Sequence, residues 1–443
     1  MKIGFISLGC PKNQVNCEQM LWQVHAAGHE IALQAEDCDI AVVNTCGFLQ
    51  EAKQEALDEI ERLCTLKREG RLGRVIVAGC MAQRYREDLE TLCPEADGFV
   101  GTGGYESIAD VIAETEAGKR PYHFGDIDAA VPETDRVVAT SDHWAYLRIA
   151  EGCDNRCSYC MIPSIRGKFR SRPMKAILDE ARSLAECGMK ELIIVAQDIT
   201  RYGLDLYGKR RLSDLLHELC QVEGISWIRL HYLYPDEIDE ELIALIAKED
   251  KIVKYLDLPI QHISTKVLKA MNRRGTGDEI RTLLTKLRKE IPGLVLRTSL
   301  ICGFPGETEE DFEELCVFLR KYRLERAGIF PFSPEEGSAA YSLPDQVEDE
   351  VKRRRLELLT EIQLDVVDAY CAEQVGKTMQ LLCEGFEPES GRYVGRSYAE
   401  SPDIDGCIYV EGDEDLIPGE FYSVRITEAV DGELIAVREE ARA

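Results

Sequence analysis

Glu151-Gly152-Cys153-Asp154-Asn155-Arg156-Cys157-Ser158-Tyr159-Cys160 places three thiols within eight residues, in the spacing C-x3-C-x2-C. Thiolates are soft ligands that select zinc or iron–sulfur clusters. Three of them close together can hold three irons of a [4Fe–4S] cube and leave the fourth iron open to a small molecule. A structural zinc would need a fourth ligand, and no Cys or His lies close after Cys160. A thioredoxin-type pair, Cys157 with Cys160, would need no third cysteine. The triplet is therefore read as a cluster site.

Cys10, Cys46 and Cys80 are far apart in sequence, yet each sits just past a short apolar run: Ile3–Leu8, Asp39–Val43 and Arg74–Ala78. Read as strands of a parallel sheet, these runs bring the three thiols to its C-terminal edge, where ligands of such sheets bind. Each is also expected before a helix start, which favours thiolate. A second three-cysteine cluster is the functional reading, and chance placement of buried cysteines is the alternative. Cys17 and Cys38 lie nearby, so position alone does not fix which three thiols ligate.

The elements that must hold these residues follow from periodicity. Helical patterns over Asn13–Ala27, Leu49–Leu66 and Gln83–Leu92 alternate with the first three strands, which implies a parallel sheet with right-handed crossovers. Residues 117–142, rich in Gly, Pro, Asp and Thr, read as a linker between a domain at 1–116 and one at 143–374. The second series has strands at Ala145–Ala150, Glu191–Ala196, Trp227–Leu230, Tyr255–Leu258, Leu294–Ile301 and Ala327–Phe332. Six strand–helix units predict a partly open (β/α)6 barrel, and barrel chemistry sits at the C-terminal strand ends, where Cys153 falls. Gly303, Pro305, Gly306 and Glu307 form a turn after the fifth strand that lets backbone approach a ligand. Arg229, His231, Gln261, His262 and Arg297 are expected at the barrel mouth. A helix over Val347–Glu373 leads into short alternating strands, such as Arg392–Arg396 and Phe421–Ile426, which read as a small all-β barrel over 375–443.

The bulk composition fits. The chain has 443 residues, 45% of them hydrophobic and 30% charged, as expected of several globular domains. No apolar run reaches the roughly 18 residues needed to cross a bilayer, and Met1–Cys10 reads as a first strand, not a signal peptide. Seventeen cysteines in a chain of this size point to a reducing cytoplasm and to metal ligation rather than disulfides. The net charge of −28 disfavours a nucleic-acid partner and suits a basic protein.

Taken together, these motifs resemble the radical S-adenosylmethionine (SAM) methylthiotransferases, and within them the RimO family. The residues that carry the resemblance are Ser7-Leu8-Gly9-Cys10-Pro11-Lys12-Asn13, Asn44-Thr45-Cys46-Gly47-Phe48, Ala78-Gly79-Cys80, Ala196–Gly203 and Tyr255–His262. The resemblance implies a SAM-coordinating [4Fe–4S] cluster on Cys153, Cys157 and Cys160. It implies an auxiliary one on Cys10, Cys46 and Cys80, and a C-terminal TRAM domain. Gln197 and Asp198 then fall where the class binds the methionine end of SAM, with Gly303, Pro305, Gly306 and Glu307 as further SAM contacts. Val15-Asn16-Cys17-Glu18 departs from the usual Val-Asp-Ser-Glu, which leaves the role of Cys17 open. The implied reaction adds a methylthio group to the β-carbon of an aspartate in the twelfth protein of the small ribosomal subunit. One SAM supplies the methyl group and another the hydrogen-abstracting radical; the electron donor and the immediate sulfur source stay undefined.

The alternative from the sister family is methylthiolation of adenosine in tRNA, whose TRAM domain binds RNA. Residues 376–443 carry sixteen Asp and Glu against six Lys and Arg, which suits a basic protein better than RNA. Glu411, Asp413, Glu414 and Asp415 are expected to be exposed charges that attract such a partner. A non-catalytic cluster scaffold is the remaining alternative, and the SAM-side motifs argue against it.

Overall fold

The computed structural model describes residues 1–34, 38–412 and 415–439. Six parallel strands form the first sheet: β1 (Lys2–Ser7), β2 (Glu30–Ala32), β3 (Ile40–Thr45), β4 (Arg74–Gly79), β5 (Gly98–Gly103) and β6 (Tyr122–Gly125), in spatial order β2-β1-β3-β4-β5-β6. β3 and β4 are apolar on both faces because both faces are covered. Ala41, Val43, Val75 and Val77 pack on Ile60 and Leu63 of the helix Gln50–Arg68. Val42, Ile76 and Ala78 pack on Met20, Val24 and Ile112 from the other side.

The second sheet is the barrel. β7 (Trp144–Arg148) is followed by a short ribbon, β8 (Ala150–Glu151) with β9 (Arg170–Ser171), which brackets the Cys153–Cys160 loop. Then come β10 (Glu191–Val195), β11 (Trp227–Leu230), β12 (Ile252–Asp257), β13 (Val295–Cys302) and β14 (Arg326–Pro331). Their order is β14-β13-β12-β11-β10-β7, with every neighbour parallel, and β7 does not pair with β14. The barrel is thus open on one side, as expected. Period-2 alternation sends Leu192, Ile194, Leu230 and Leu296 outward to the helices and Ile193, Val195, Tyr255 and Val295 inward.

After the helix Asp349–Gln374, β15 (Thr378–Glu387), β16 (Arg392–Arg396), β17 (Ile408–Glu411), β18 (Phe421–Val430) and β19 (Glu433–Arg438) close a small barrel. It is not a free appendage. Its residues 396–405 fill the inner face of the open barrel. Arg396 donates to Glu191 at 2.8 Å, and Glu191 also accepts from Arg229 at 2.7 Å. Arg326 pairs with Glu400 at 3.0 Å, and Tyr255 donates to Asp405 at 2.7 Å. Charges enter such an interior only when paired.

The structure departs from the sequence reading in several places. β2, β5 and β6 were not anticipated, and β6 lies within the expected linker 117–142. β2 has three residues, and β5 carries glycines at 98, 101 and 103, so neither shows a strong strand pattern. The helix expected over Gln83–Leu92 is two short ones, Cys80–Arg84 and Leu89–Leu92. Finally, Arg229 and His231 do not reach the mouth. They are buried against the C-terminal domain, Arg229 donating to Tyr398 O at 2.7 Å and His231 Nε2 meeting Ser401 Oγ at 3.0 Å. Arg297 is held by Asp257 at 2.8 Å.

Candidate active site

Cys46 and Cys80 follow directly on the ends of β3 and β4, and Cys10 lies three residues past the end of β1; the three strands are adjacent in the sheet. Asn13 ties these ends together, donating from Nδ2 to Leu8 O at 2.6 Å and Thr45 O at 3.2 Å, while Asn44 donates to Asn13 O at 2.8 Å. Gly9 has φ +97°, and a Cβ there would lie 2.7 Å from Cys46 Cβ; glycine is required for the turn and for the approach. The thiols lie close enough for the charge of Cys10 to act on both Cys46 and Cys80.

Their ionisation differs from expectation. Burial raises Cys10, but the charges of Lys12 and Arg166 and the backbone N–H groups of Asn13 and Lys12 outweigh it, so this thiol is lowered. Burial wins at the other two, and Cys80 is pushed up to about 11. For Cys46 the helix begins only at Gln50, too far along to favour its thiolate.

Cys17 is deeper, 2% exposed, with burial pushing its thiol up to about 12 and Ser7 as its hydrogen-bond partner. We expect Cys17→Ser to keep both the iron content and activity within about twofold, since an exchange that keeps a hydroxyl partner for Ser7 costs at most about 1 kcal/mol. Loss of iron from this variant alone would make Cys17 a ligand.

The loop with Cys153, Cys157 and Cys160 is fixed on both flanks. Cys153 N donates to Gly167 O at 3.1 Å and Ser158 N to Met271 O at 2.9 Å. Arg273 donates to Pro259 O at 2.7 Å and to Tyr159 Oη at 3.2 Å, approaches Cys157 Sγ at 3.9 Å, and stacks on Tyr234. Asn155 donates to Asp198 at 2.8 Å, joining the loop to the end of β10. Gln197 donates to Glu151 at 2.6 Å, and its Oε1 is buried with no partner. After β13, Glu307 accepts from Gly303 N at 2.8 Å and Phe304 N at 3.2 Å, and pairs with Arg355 at 2.8 Å. Its carboxylate holds the turn. Gly303 has φ +72°, and a Cβ there would meet Lys352 Cγ at 2.4 Å, so its close neighbour is the long helix. Gly306 faces open space. Gln261, at φ +70°, bridges to Leu300, and His262 Nδ1 accepts from Ser264 N at 3.0 Å.

The first domain docks on the barrel mouth, and one barrel side chain reaches across to the first thiol set. Arg166, 2% exposed, donates to Glu151 at 2.9 Å, to Asn16 at 3.0 Å and to Cys80 Sγ at 3.4 Å. Glu151 also pairs with Arg148 at 2.9 Å; burial raises this carboxyl, but the two guanidiniums pull it down to about 2. Arg84 and Glu335 form a second buried tie between the domains at 2.8 Å. Arg166, Glu151, Arg84 and Lys12 were not singled out in the sequence. The one available signal was Glu151, a carboxylate following an apolar strand and preceding the first thiol.

Six cysteines in two sets suit iron–sulfur clusters by donor chemistry: each set presents soft sulfur ligands without a competing carboxylate bonded to the thiols. Among the described residues no three His, Cys, Asp or Glu side chains gather as for a single metal ion. A cube asks for one thiolate on each of three irons, not convergence on a point. The structure shows no disulfide among the described residues.

Of the sixteen C-terminal acids, Glu384, Glu400 and Asp405 are spent inside on Arg396, Arg326 and Tyr255. Glu411 pairs with Arg392 at 2.7 Å and Asp415 accepts from Tyr393 at 3.1 Å. Asp413 and Glu414 lie outside the described residues. The acidity of this domain is thus partly structural.

An open six-stranded parallel barrel with three thiols after its first strand defines a radical SAM domain, and the radical SAM superfamily model matches residues 147–319. That family works with SAM and a [4Fe–4S] cluster. The model of the uncharacterized protein family UPF0004 matches 2–101, and the TRAM domain model matches 375–438. The chain belongs to the RimO family of methylthiotransferases. It is 47% identical over 440 residues to the ribosomal protein uS12 methylthiotransferase RimO of Lachnoclostridium phytofermentans, covering 99% of this chain and 100% of that one. It is 48% identical to the RimO of Pelobacter propionicus, covering 98% and 97%. Among solved structures, the fold is similar to the radical SAM methyltransferase TsrM from Kitasatospora setae, with a TM-score of 0.55 and 14% identity over 76% of this chain and 73% of that one. Among the described residues no helix is long and apolar enough to cross a membrane.

Proposed function

We propose that this enzyme methylthiolates the β-carbon of an aspartate in ribosomal protein uS12, in the cytoplasm, using two [4Fe–4S] clusters. The observation that carries the reading is two three-cysteine sets on either side of one domain seam, where Arg166 bonds both Cys80 and Glu151, two residues before Cys153. Cys153, Cys157 and Cys160 would hold the SAM-binding cluster, and Cys10, Cys46 and Cys80 the auxiliary one. The SAM side supplies, when loaded, a radical able to take hydrogen from an unactivated carbon.

The chain's own groups do the positioning. SAM is assigned to the strand ends carrying Gln197, Asp198 and the turn with Gly303, Pro305, Gly306 and Glu307. There Gln197 Oε1 is the free buried acceptor, whereas Asp198 is engaged by Asn155 and Thr200 and Glu307 by its own turn. These two hold the site's shape. Arg166 places a permanent positive charge beside Cys80, and the docked first domain buries Arg166 and Glu151 at the seam.

The test is incubation of anaerobically reconstituted enzyme with SAM, reductant and ribosomes, followed by mass spectrometry of uS12. The expected product is one methylthio group in place of one hydrogen on a single aspartate. A modified tRNA adenosine with unmodified uS12 would establish the other reading.

A further inference from the structure

Lys12 lies two residues after Cys10 on the first turn of the helix Pro11–Ala26, and is 6% exposed. Its Nζ sits 3.4 Å from the ring centroid of Tyr232. Tyr232 lies two residues past the end of β11 on the barrel, in the left-handed region at φ 63°, a conformation that costs a bulky residue energy and marks a held position. Its ring packs over Val15 and the inward-facing Ile193 and Val195. Lys12 therefore stands over the barrel mouth, on the seam between the domains.

The cations around it have partners. Arg166 and Arg148 share Glu151, and Arg84 has Glu335. Arg273 has its donors committed to Pro259 O and Tyr159 Oη and its face to Tyr234. Lys12 makes no ion pair with a carboxylate among the described residues; its neighbours are the Tyr232 ring and the Cys10 thiol. A desolvated ammonium is costly without an anion and calls for one.

The substrate assigned above brings an anion to this seam. A methylthio group enters an aspartate on the carbon next to an ionised carboxylate, so that carboxylate must be received by the protein close to the reacting carbon. We propose that Lys12 is the cation that receives the substrate carboxylate, and so sets the site for an acidic side chain over its neutral isostere. The inference rests on the aspartate reading. Its competitor is a purely internal role, in which Lys12 only balances Cys10.

Two peptides from the modified loop of the substrate, one with aspartate at the target position and one with asparagine, separate these roles. Fluorescence anisotropy with the reconstituted full-length enzyme measures binding of each. The wild type is expected to favour the aspartate peptide by about tenfold to a hundredfold, the worth of a hydrogen bond to a charged group. Lys12→Met should bring the ratio close to one, and Lys12→Arg should retain most of it. A ratio within one sample does not depend on the fraction of protein loaded. If the wild type binds both peptides equally, or if Lys12→Met keeps the preference, the proposal is overturned while the aspartate reading stands. If mass spectrometry finds no modified aspartate with wild-type enzyme, the aspartate reading falls and takes this inference with it. Should Lys12→Met fail to fold, Lys12→Gln is read in the same way: a ratio close to one supports the proposal and a kept preference overturns it.

Discussion

Replacing Cys153, Cys157 and Cys160 together by alanine is expected to abolish reductive cleavage of SAM to 5′-deoxyadenosine and to leave one cluster of two. No other thiol is placed to substitute, and the loop has supports that do not involve sulfur: Cys153 N on Gly167 O, Ser158 N on Met271 O and Asn155 on Asp198. The variant should therefore fold and keep iron at the first sheet. Iron and sulfide analysis gives the count, and chromatography of the nucleoside product gives the activity. The reciprocal variant, with Cys10, Cys46 and Cys80 replaced, should cleave SAM yet transfer no methylthio group. Loss of all iron in either variant, with the circular dichroism unchanged, would contradict two independent sites.

Glu191→Gln should be the most destabilising single change away from the cysteines. Glu191 is fully buried between Arg229 and Arg396, at 2.7 and 2.8 Å. Removing its charge leaves Arg229 without a carboxylate and Arg396 with Glu384 alone, and breaking such a buried pair costs about 3–5 kcal/mol. Burial raises the Glu191 carboxyl, but the two arginines outweigh it and hold its pKa below the ordinary value. A depressed carboxylate pKa stabilises the fold fully above the unfolded value of about 4.3 and loses that contribution as pH falls through the folded value. The wild type should thus lose stability steeply below about pH 4, and the variant less so. Urea unfolding at several pH values measures both. A variant within about 1 kcal/mol of wild type would mean that the interface does not depend on this lattice.

Much of this architecture was legible because its signals are local. β1, β3 and β4 are apolar runs bounded by breakers, and β11 and β16 fall where their residues alternate. Cys153, Cys157 and Cys160 declare themselves by spacing alone. Cys10, Cys46 and Cys80 needed both the strand ends and the family resemblance, since Cys17 and Cys38 were equally close in sequence. The remainder depends on docking. Arg166 meets Cys80 across 86 residues, and nothing around Arg166 distinguishes it from other arginines. Arg229 and His231, expected at the mouth from their place at the end of β11, are instead buried against the C-terminal domain. Their parity said nothing about the C-terminal segment that fills the barrel and takes their donors.

The gathering of three thiols on β1, β3 and β4 has a consequence in time. Domains form as units, the N-terminal one first during synthesis, and all six strands of the first sheet lie within residues 2–125. Cys10, Cys46 and Cys80 can come together before the ribosome has made Arg166. At that stage nothing from the barrel covers Cys80. Once the barrel folds, Arg166 closes over Cys80 and Glu335 locks Arg84. On the proposed cluster assignment, the first site is open to loading on the nascent chain, whereas a finished apoprotein must reopen its domain seam first.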